Sequence, residues 1–230
     1  MTAEAWAPRA PARAFTPPGV YTPQYDTRLL TRALSREDIG SATEVLDLGT
    51  GSGALAVQAA RLGARVTAVD ISRLAVLTAR FNALLAGQRV RCRRGDLTAA
   101  VPGRLYDLVV SNPPYVPSPA GALPRRGLAR AWDAGRDGRV FIDRICAEAP
   151  AVLNPGGALL LVHSSLCGTG ATLTRLTESG LRAAVTDRAT VPHGPVLRSR
   201  HRWLVQQGLL ADGERREELV VIRAERACRA

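Results

Sequence analysis

The sequence predicts an α/β fold, a doubly wound and mostly parallel sheet of seven strands covered by helices on both faces. Two observations carry this reading. Short, nearly continuous apolar runs of strand length alternate with segments whose apolar residues recur at helical spacing. That is the order parallel strands joined by crossover helices require. In addition, glycine or aspartate closes one strand after another, so small and acidic residues collect where strands hand over to helices.

Residues 1–18, MTAEAWAPRAPARAFTPP, lack periodicity and read as a flexible tail, from which Trp6 or Phe15 could dock on the folded part. One domain is expected over 19–225, with 226–230 a short C-terminal tail. Leu29, Leu30, Ala33 and Leu34 give a helix over 26–36, with Asp26 as its N-cap. EVLDLG (44–49) is a buried strand, followed by a glycine turn and a helix over 53–62. ARVTAVD (64–70) is the second strand, and 72–87 a helix stopped by Gly87. Strands follow at 89–96 and 106–112, then an amphipathic helix at 138–153 halted by the turn NPGG. A strand at 157–165, a helix near 169–179, a strand near 182–187 and a last strand at 218–224 complete the set. GERREEL (213–219) reads as a solvated hairpin turn.

Bulk composition narrows the class. Hydrophobic residues at 46% and charged residues at 22% suit a soluble globular chain long enough for a full core. No apolar run reaches the roughly 18 to 20 residues of a membrane span. The N-terminus lacks the order of a signal peptide, so a cytoplasmic location is expected. Cys92, Cys146, Cys167 and Cys228 lie far apart without metal-ligand spacing, so no metal site is expected. The net charge is +11, and all 31 basic residues are arginine. A polyanion-facing surface and a compositional bias both explain that, and RCRR (91–94) and PRR (124–126) stay open in the same way. The Gly- and Arg-rich stretch 118–138 is either solvated surface or a mobile lid.

Two places in the chain carry chemistry. Gly49, Gly51 and Gly53 lie between the first strand and its helix, where small residues let a ligand approach the backbone. Asp70 ends the second strand, roughly 20 residues on, the place where such folds direct a carboxylate at ribose hydroxyls. Asp96 ends the third strand near the same crevice. The second place is Asn112-Pro113-Pro114-Tyr115, after the fourth strand. Its prolines stop the strand and leave a stiff elbow short of donors. The Asn112 side-chain oxygen and the Pro113 carbonyl could then hold both hydrogens of a planar NH2 group, and Tyr115 could flank it. His163 could line the same pocket or be a satisfied strand-end histidine.

The glycines with Asp70 and Asp96 resemble class I S-adenosylmethionine-dependent methyltransferases, which are Rossmann-like. A nucleotide- or NAD-binding fold is the alternative reading of the same residues. The resemblance implies S-adenosylmethionine held by Asp47, Gly49, Thr50, Gly51, Gly53, Asp70, Ile71, Asp96, Leu97 and Asn112, with Asn112, Pro113 and Tyr115 as the catalytic set. GVYTPQYDTRLLTRAL (19–34), AWDAGRDGRVFIDRI (131–145), HGPVLRSRHRWL and REELVVIRAER further resemble HemK-type protein glutamine methyltransferases, in the short branch without an N-terminal helical domain. That family methylates the glutamine amide in the Gly-Gly-Gln loop of class I release factors, and its short branch depends on a small activating partner subunit. The chain departs from the pattern at Tyr25, where an acid is usual, and at Ala134, where glycine is usual. Three alternatives stay open: an amino methyltransferase of nucleic acid, a methyltransferase of a peptide or small metabolite, and a cofactor-binding partner subunit without catalysis. The first of these normally carries a domain for flipping a base, for which no region here is long enough.

Overall fold

The computed structural model describes residues 14–120, 122–124 and 127–228. Strands β1 (Glu44–Leu48), β2 (Arg65–Asp70), β3 (Val90–Arg94), β4 (Tyr106–Ser111), β5 (Leu153–Ser164), β6 (Leu181–Pro192) and β7 (Arg216–Arg226) form one sheet. Its order is β3-β2-β1-β4-β5-β7-β6, and only β7 runs antiparallel to its neighbours. The expected doubly wound fold is therefore present. The chain reverses direction across the sheet between β1 and β4, which opens a crevice at their carboxyl ends where such folds bind ligands.

Both sheet faces are covered. Helices α1 (Tyr25–Leu34), α2 (Ala54–Arg61) and α3 (Arg73–Leu85) pack on one face with Val45, Leu108, Val110, Leu160 and Val162. Helices α4 (Val140–Val152) and α5 (Thr169–Glu178) pack on the other with Leu46, Leu48, Val109, Leu159 and Leu161. Successive strand residues thus alternate between two cores, so the strands read as continuous apolar runs. Each fully buried leucine contributes about 1.5–3 kcal/mol. Helix α3 starts at Ser72, whose hydroxyl accepts the Ala75 N–H. It ends as expected at Gly87, where φ is +66° and the Gln88 N–H returns to the Ala83 carbonyl.

Several expectations are corrected. Gln24 is the N-cap residue of α1, while Asp26 lies inside the first turn and is buried. NPGG does not end an element, because β5 already begins at Leu153. There the pairing slips from Tyr106↔Leu153 to Leu108↔Ala158, which absorbs the turn as a bulge. Strand β6 is twice the expected length and pairs along β7. A sixth helix, α6 (Pro195–Gln206), packs by Leu197 and Leu204 against Leu210. GERREEL is only partly solvated, since Arg216 opens β7 and Glu217 is buried. Phe15 docks on α3: its N–H and carbonyl both bond the Asn82 side chain, and its ring meets Phe81 edge-on. Residues 14–18 thus belong to the ordered structure, whereas Trp6 lies outside the described residues. No helix among them is long and apolar enough to cross a membrane.

Candidate active site

A cavity of about 570 Å³ opens at the carboxyl ends of β1, β2, β3 and β4. Gly49, Thr50, Gly51, Asp70, Ile71, Asp96, Leu97, Asn112, Pro113 and Tyr115 all line it, whereas Asp47 and Gly53 do not. The glycine turn therefore divides into two roles. Gly49 and Gly51 have φ of +74° and +54°, and a Cβ at either would meet nothing closer than 4.0 Å. A ligand can approach the backbone there. At Gly53 a Cβ would lie 2.9 Å from the Ala79 Cα, so this glycine serves the contact between α2 and α3.

Asp47 supports the turn from beneath. It is fully buried, and its Oδ2 accepts the Thr50 hydroxyl at 2.6 Å and the Ala56 N–H at 3.1 Å. Burial pushes its carboxyl up to about 7, with those two hydrogen bonds opposing the rise. Asp70 ends β2 with Oδ2 accepting the Gly51 N–H at 3.0 Å and Oδ1 the Ser72 N–H at 2.8 Å. Burial raises its carboxyl above the usual range, while the hydrogen bonds and the nearby Arg130 counter that. Each oxygen keeps a lone pair beyond the one used on the loop, which suits two adjacent hydroxyls. Asp96 is paired with Arg144 through both oxygens at 3.0 and 3.1 Å. Ile71 is 47% exposed and gives the cavity an apolar wall. Carboxylates beside an exposed apolar side chain fit a nucleoside with a ribose and a flat base.

The elbow closes the other end of the cavity. Ser111 anchors it by donating to the Leu48 carbonyl at 2.8 Å. The Asn112 amide nitrogen donates to the Thr27 hydroxyl at 3.2 Å. The Tyr115 hydroxyl turns away from the strand and donates to Asp26 Oδ2 at 2.9 Å, beside the Tyr21 hydroxyl at 2.7 Å. Burial, then the Asp26 charge, raises both tyrosines well above their ordinary value, so they stay protonated donors. The Tyr115 carbonyl accepts the Cys167 thiol at 3.0 Å.

Of the two readings left open for the segment 118–138, solvated surface or mobile lid, neither describes its ends, which are tied down. Val116 and Ser118 donate to the carbonyls of Trp132 and Gly135, and Ala134 donates back to Val116. Arg200 of α6 bonds the Pro117 carbonyl and pairs with the buried Asp133 at 2.6 Å. Arg125 and Arg126 lie outside the described residues. His163 is buried in β5 and does not line the cavity. Burial lowers its pKa to about 4, so it stays neutral.

Sequence reasoning missed Tyr21, Thr27 and Glu217, and gave Asp26 the wrong task. Glu217 of β7 is buried near Asp26, and burial pushes its carboxyl up to about 7. The signal for Asp26 and Thr27 was the segment PQYDTRLL, which joins a polar pair to an apolar helix face.

Residues 13–123 match the methyltransferase small domain family. A putative protein N5-glutamine methyltransferase of Methanocaldococcus jannaschii is 34% identical over 76% of this chain and 87% of its own length. A release factor glutamine methyltransferase of Bordetella pertussis is 44% identical over 64% of this chain and 57% of its own. The chain thus spans little more than half of that bacterial relative. Among solved structures, the Mtq2-Trm112 complex of E. cuniculi, described as methylating the eRF1 translation termination factor, gives a TM-score of 0.61 at 24% identity. That match covers 91% of this chain and 99% of the other.

Proposed function

The chain belongs to the HemK-type protein glutamine methyltransferase family, and from that premise we propose that it methylates the side-chain amide of a glutamine in a protein, a class I release factor foremost. The cofactor is S-adenosylmethionine, which when bound supplies an electrophilic methyl on its sulfonium sulfur. One observation supports the acceptor most directly. The elbow faces the same cavity as Gly49, Gly51 and Asp70, with the Asn112 NH2 end committed to Thr27 and its carbonyl oxygen left for a ligand.

An amide nitrogen is a poor nucleophile because its lone pair is delocalised, so the enzyme's contribution is placement. Asn112 Oδ1 and the Pro113 carbonyl accept the two N–H hydrogens and hold the nitrogen in one orientation, which turns positioning into rate. Neither Pro113 nor Pro114 offers an N–H, so the middle of the elbow presents carbonyls without competing backbone donors. Tyr115 walls the site. Asp70 takes the ribose hydroxyls, Gly49, Thr50 and Gly51 lie along the methionine portion, and Ile71, Asp96 and Leu97 flank the base. The nitrogen gains one carbon and sheds one proton to solvent. Asp26 is no general base, since it already accepts from the Thr27 N–H, the Thr27 hydroxyl and two tyrosines.

A small acidic partner subunit fits the outer face of α3. Leu77 and Leu84 are 59% and 75% exposed there, beside Phe81 and Leu85. Arg73 and Arg80 flank them, and the adjacent edge strand β3 carries Arg91 and Arg93. An apolar stripe of this kind next to an open edge invites cover, and the arginines favour an acidic one. Native mass spectrometry of the protein from its own cells should show a stoichiometric small acidic subunit that Leu84→Glu removes. A chain that is monodisperse and fully active alone contradicts this.

The test of the acceptor is competition. The purified protein is given methyl-labelled S-adenosylmethionine with release factor, total tRNA and rRNA, and DNA. Label is expected in the protein fraction. Label confined to nucleic acid would favour the amino methyltransferase reading that the arginine content keeps in view.

A further inference from the structure

The geometry points to Asp26 and Thr27, in the first turn of α1, as positioning residues that fix which end of the Asn112 amide faces the methyl acceptor. This rests on the reading that Asn112 Oδ1 receives an acceptor N–H. A side-chain amide is nearly symmetric in shape and has two orientations related by a half-turn. One presents an oxygen to the cavity. The other presents N–H hydrogens, which would meet the N–H hydrogens of the acceptor.

The chain decides between them by a relay of hydrogen-bond polarity. Asp26 is 4% exposed and is surrounded by donors. Its Oδ1 accepts the Thr27 hydroxyl at 3.2 Å as well as the Thr27 N–H. A hydroxyl has a single hydrogen. Once that hydrogen is given to Asp26, the Thr27 oxygen can offer only lone pairs to whatever lies on its other side. The group there is Asn112, at 3.2 Å, and only its NH2 end is complementary. The carboxylate therefore fixes the hydroxyl, the hydroxyl fixes the amide, and the amide oxygen is left on the cavity side. The other oxygen of Asp26 holds the far end of the elbow through Tyr115, with Tyr21 completing its shell. One buried carboxylate thus sets both ends of Asn112-Pro113-Pro114-Tyr115.

Thr27→Val keeps the shape and removes the relay. Turnover of a glutamine-containing substrate should fall about tenfold or more, the consequence of losing one orienting hydrogen bond. S-adenosylmethionine affinity by calorimetry should stay within about twofold, because Thr27 acts on the acceptor end. Thr27→Ser restores the hydroxyl and should recover most of the loss. The readout that a merely structural role would not move is the Asn112 side-chain NH2 resonance, assigned by its loss in Asn112→Ala. In the native protein one of its two protons should be protected from exchange, and in Thr27→Val that protection should disappear while the backbone fingerprint elsewhere is retained. Unchanged turnover in Thr27→Val, no rescue by Thr27→Ser, or an unprotected Asn112 NH2 in the native protein would each overturn the inference. The last measurement needs no substrate and does not depend on whether Thr27→Val folds; Asn112→Ala serves only to assign the resonance. If the native protein methylates no glutamine, the functional reading fails while the resonance still decides the relay.

Discussion

Gly138 sits where the loop returning from the cavity passes behind the elbow, and its replacement by alanine isolates how tightly that elbow is held. The residue has φ of +76°, a left-handed conformation costing a side-chain-bearing residue about 1–2 kcal/mol. A Cβ there would also lie 2.3 Å from the Tyr115 carbonyl oxygen, 2.9 Å from the Cys167 sulfur and 3.2 Å from the Pro117 ring. The nearest of these atoms is backbone, so it cannot swing aside, and overpacking of this kind adds about 1–3 kcal/mol. Gly138→Ala should therefore lose about 2–5 kcal/mol in a urea melt. Gly180→Ala is the control, with φ of +84° and nothing near the added Cβ, and should lose only the about 1–2 kcal/mol of backbone strain. Because the strain in Gly138→Ala bears on the Tyr115 carbonyl, turnover should fall more steeply than S-adenosylmethionine affinity. Equal losses of stability in the two variants would refute the argument, since the clash would then contribute nothing.

Other expectations follow from the same geometry. Asn112→Ala should bind S-adenosylmethionine normally yet turn over at least about a hundredfold more slowly, because orientation is lost only at the acceptor; full activity would remove Asn112 from the mechanism. Asp70→Ala should weaken S-adenosylmethionine binding in calorimetry, and an unchanged dissociation constant would refute its contact with the ribose. Glu217 supplies a pH test. Its carboxyl is raised in the folded state to about 7, so the native chain holds a proton that the unfolded chain releases above its ordinary value near 4.5. Stability should fall as pH rises from about 4.5 to about 7, by roughly 3 kcal/mol at most, and level off above. Asp47, raised to about 7 as well, contributes a fall over the same range. Glu217→Gln should therefore lessen the difference between melts at pH 5 and pH 8 rather than abolish it, and an identical slope in the variant would count against it.

Much of this was legible in the sequence for a physical reason. Strands buried on both faces must be apolar at nearly every position, so β1, β4 and β5 stand out, and the glycine after β1 with the aspartates at and after the ends of β2 and β3 marks the crevice. Helix α6 was not legible. It carries Arg198, Arg200 and Arg202 and buries only two leucines, too few for a clear period. NPGG looks like a stop because proline and glycine usually are one, but pairing between β4 and β5 resumes beyond it. Asp26 was misread because an acid at a helix start already has a sufficient local explanation. Its actual task depends on Tyr21 and on Tyr115, 89 residues away, converging on it in space. Gly49, Gly51 and Gly53 look alike in the chain, and only the presence of Ala79 beside the third separates packing from ligand approach.

The central claim is that Asn112 and Pro113 present a glutamine amide nitrogen for methylation. Its most direct test is tandem mass spectrometry of release factor incubated with the protein and S-adenosylmethionine. The account predicts a single methyl group on the side-chain nitrogen of the glutamine in the Gly-Gly-Gln loop, absent with Asn112→Ala. A methyl group on any other atom of the factor, or on a nucleic-acid base in place of the protein, would contradict it.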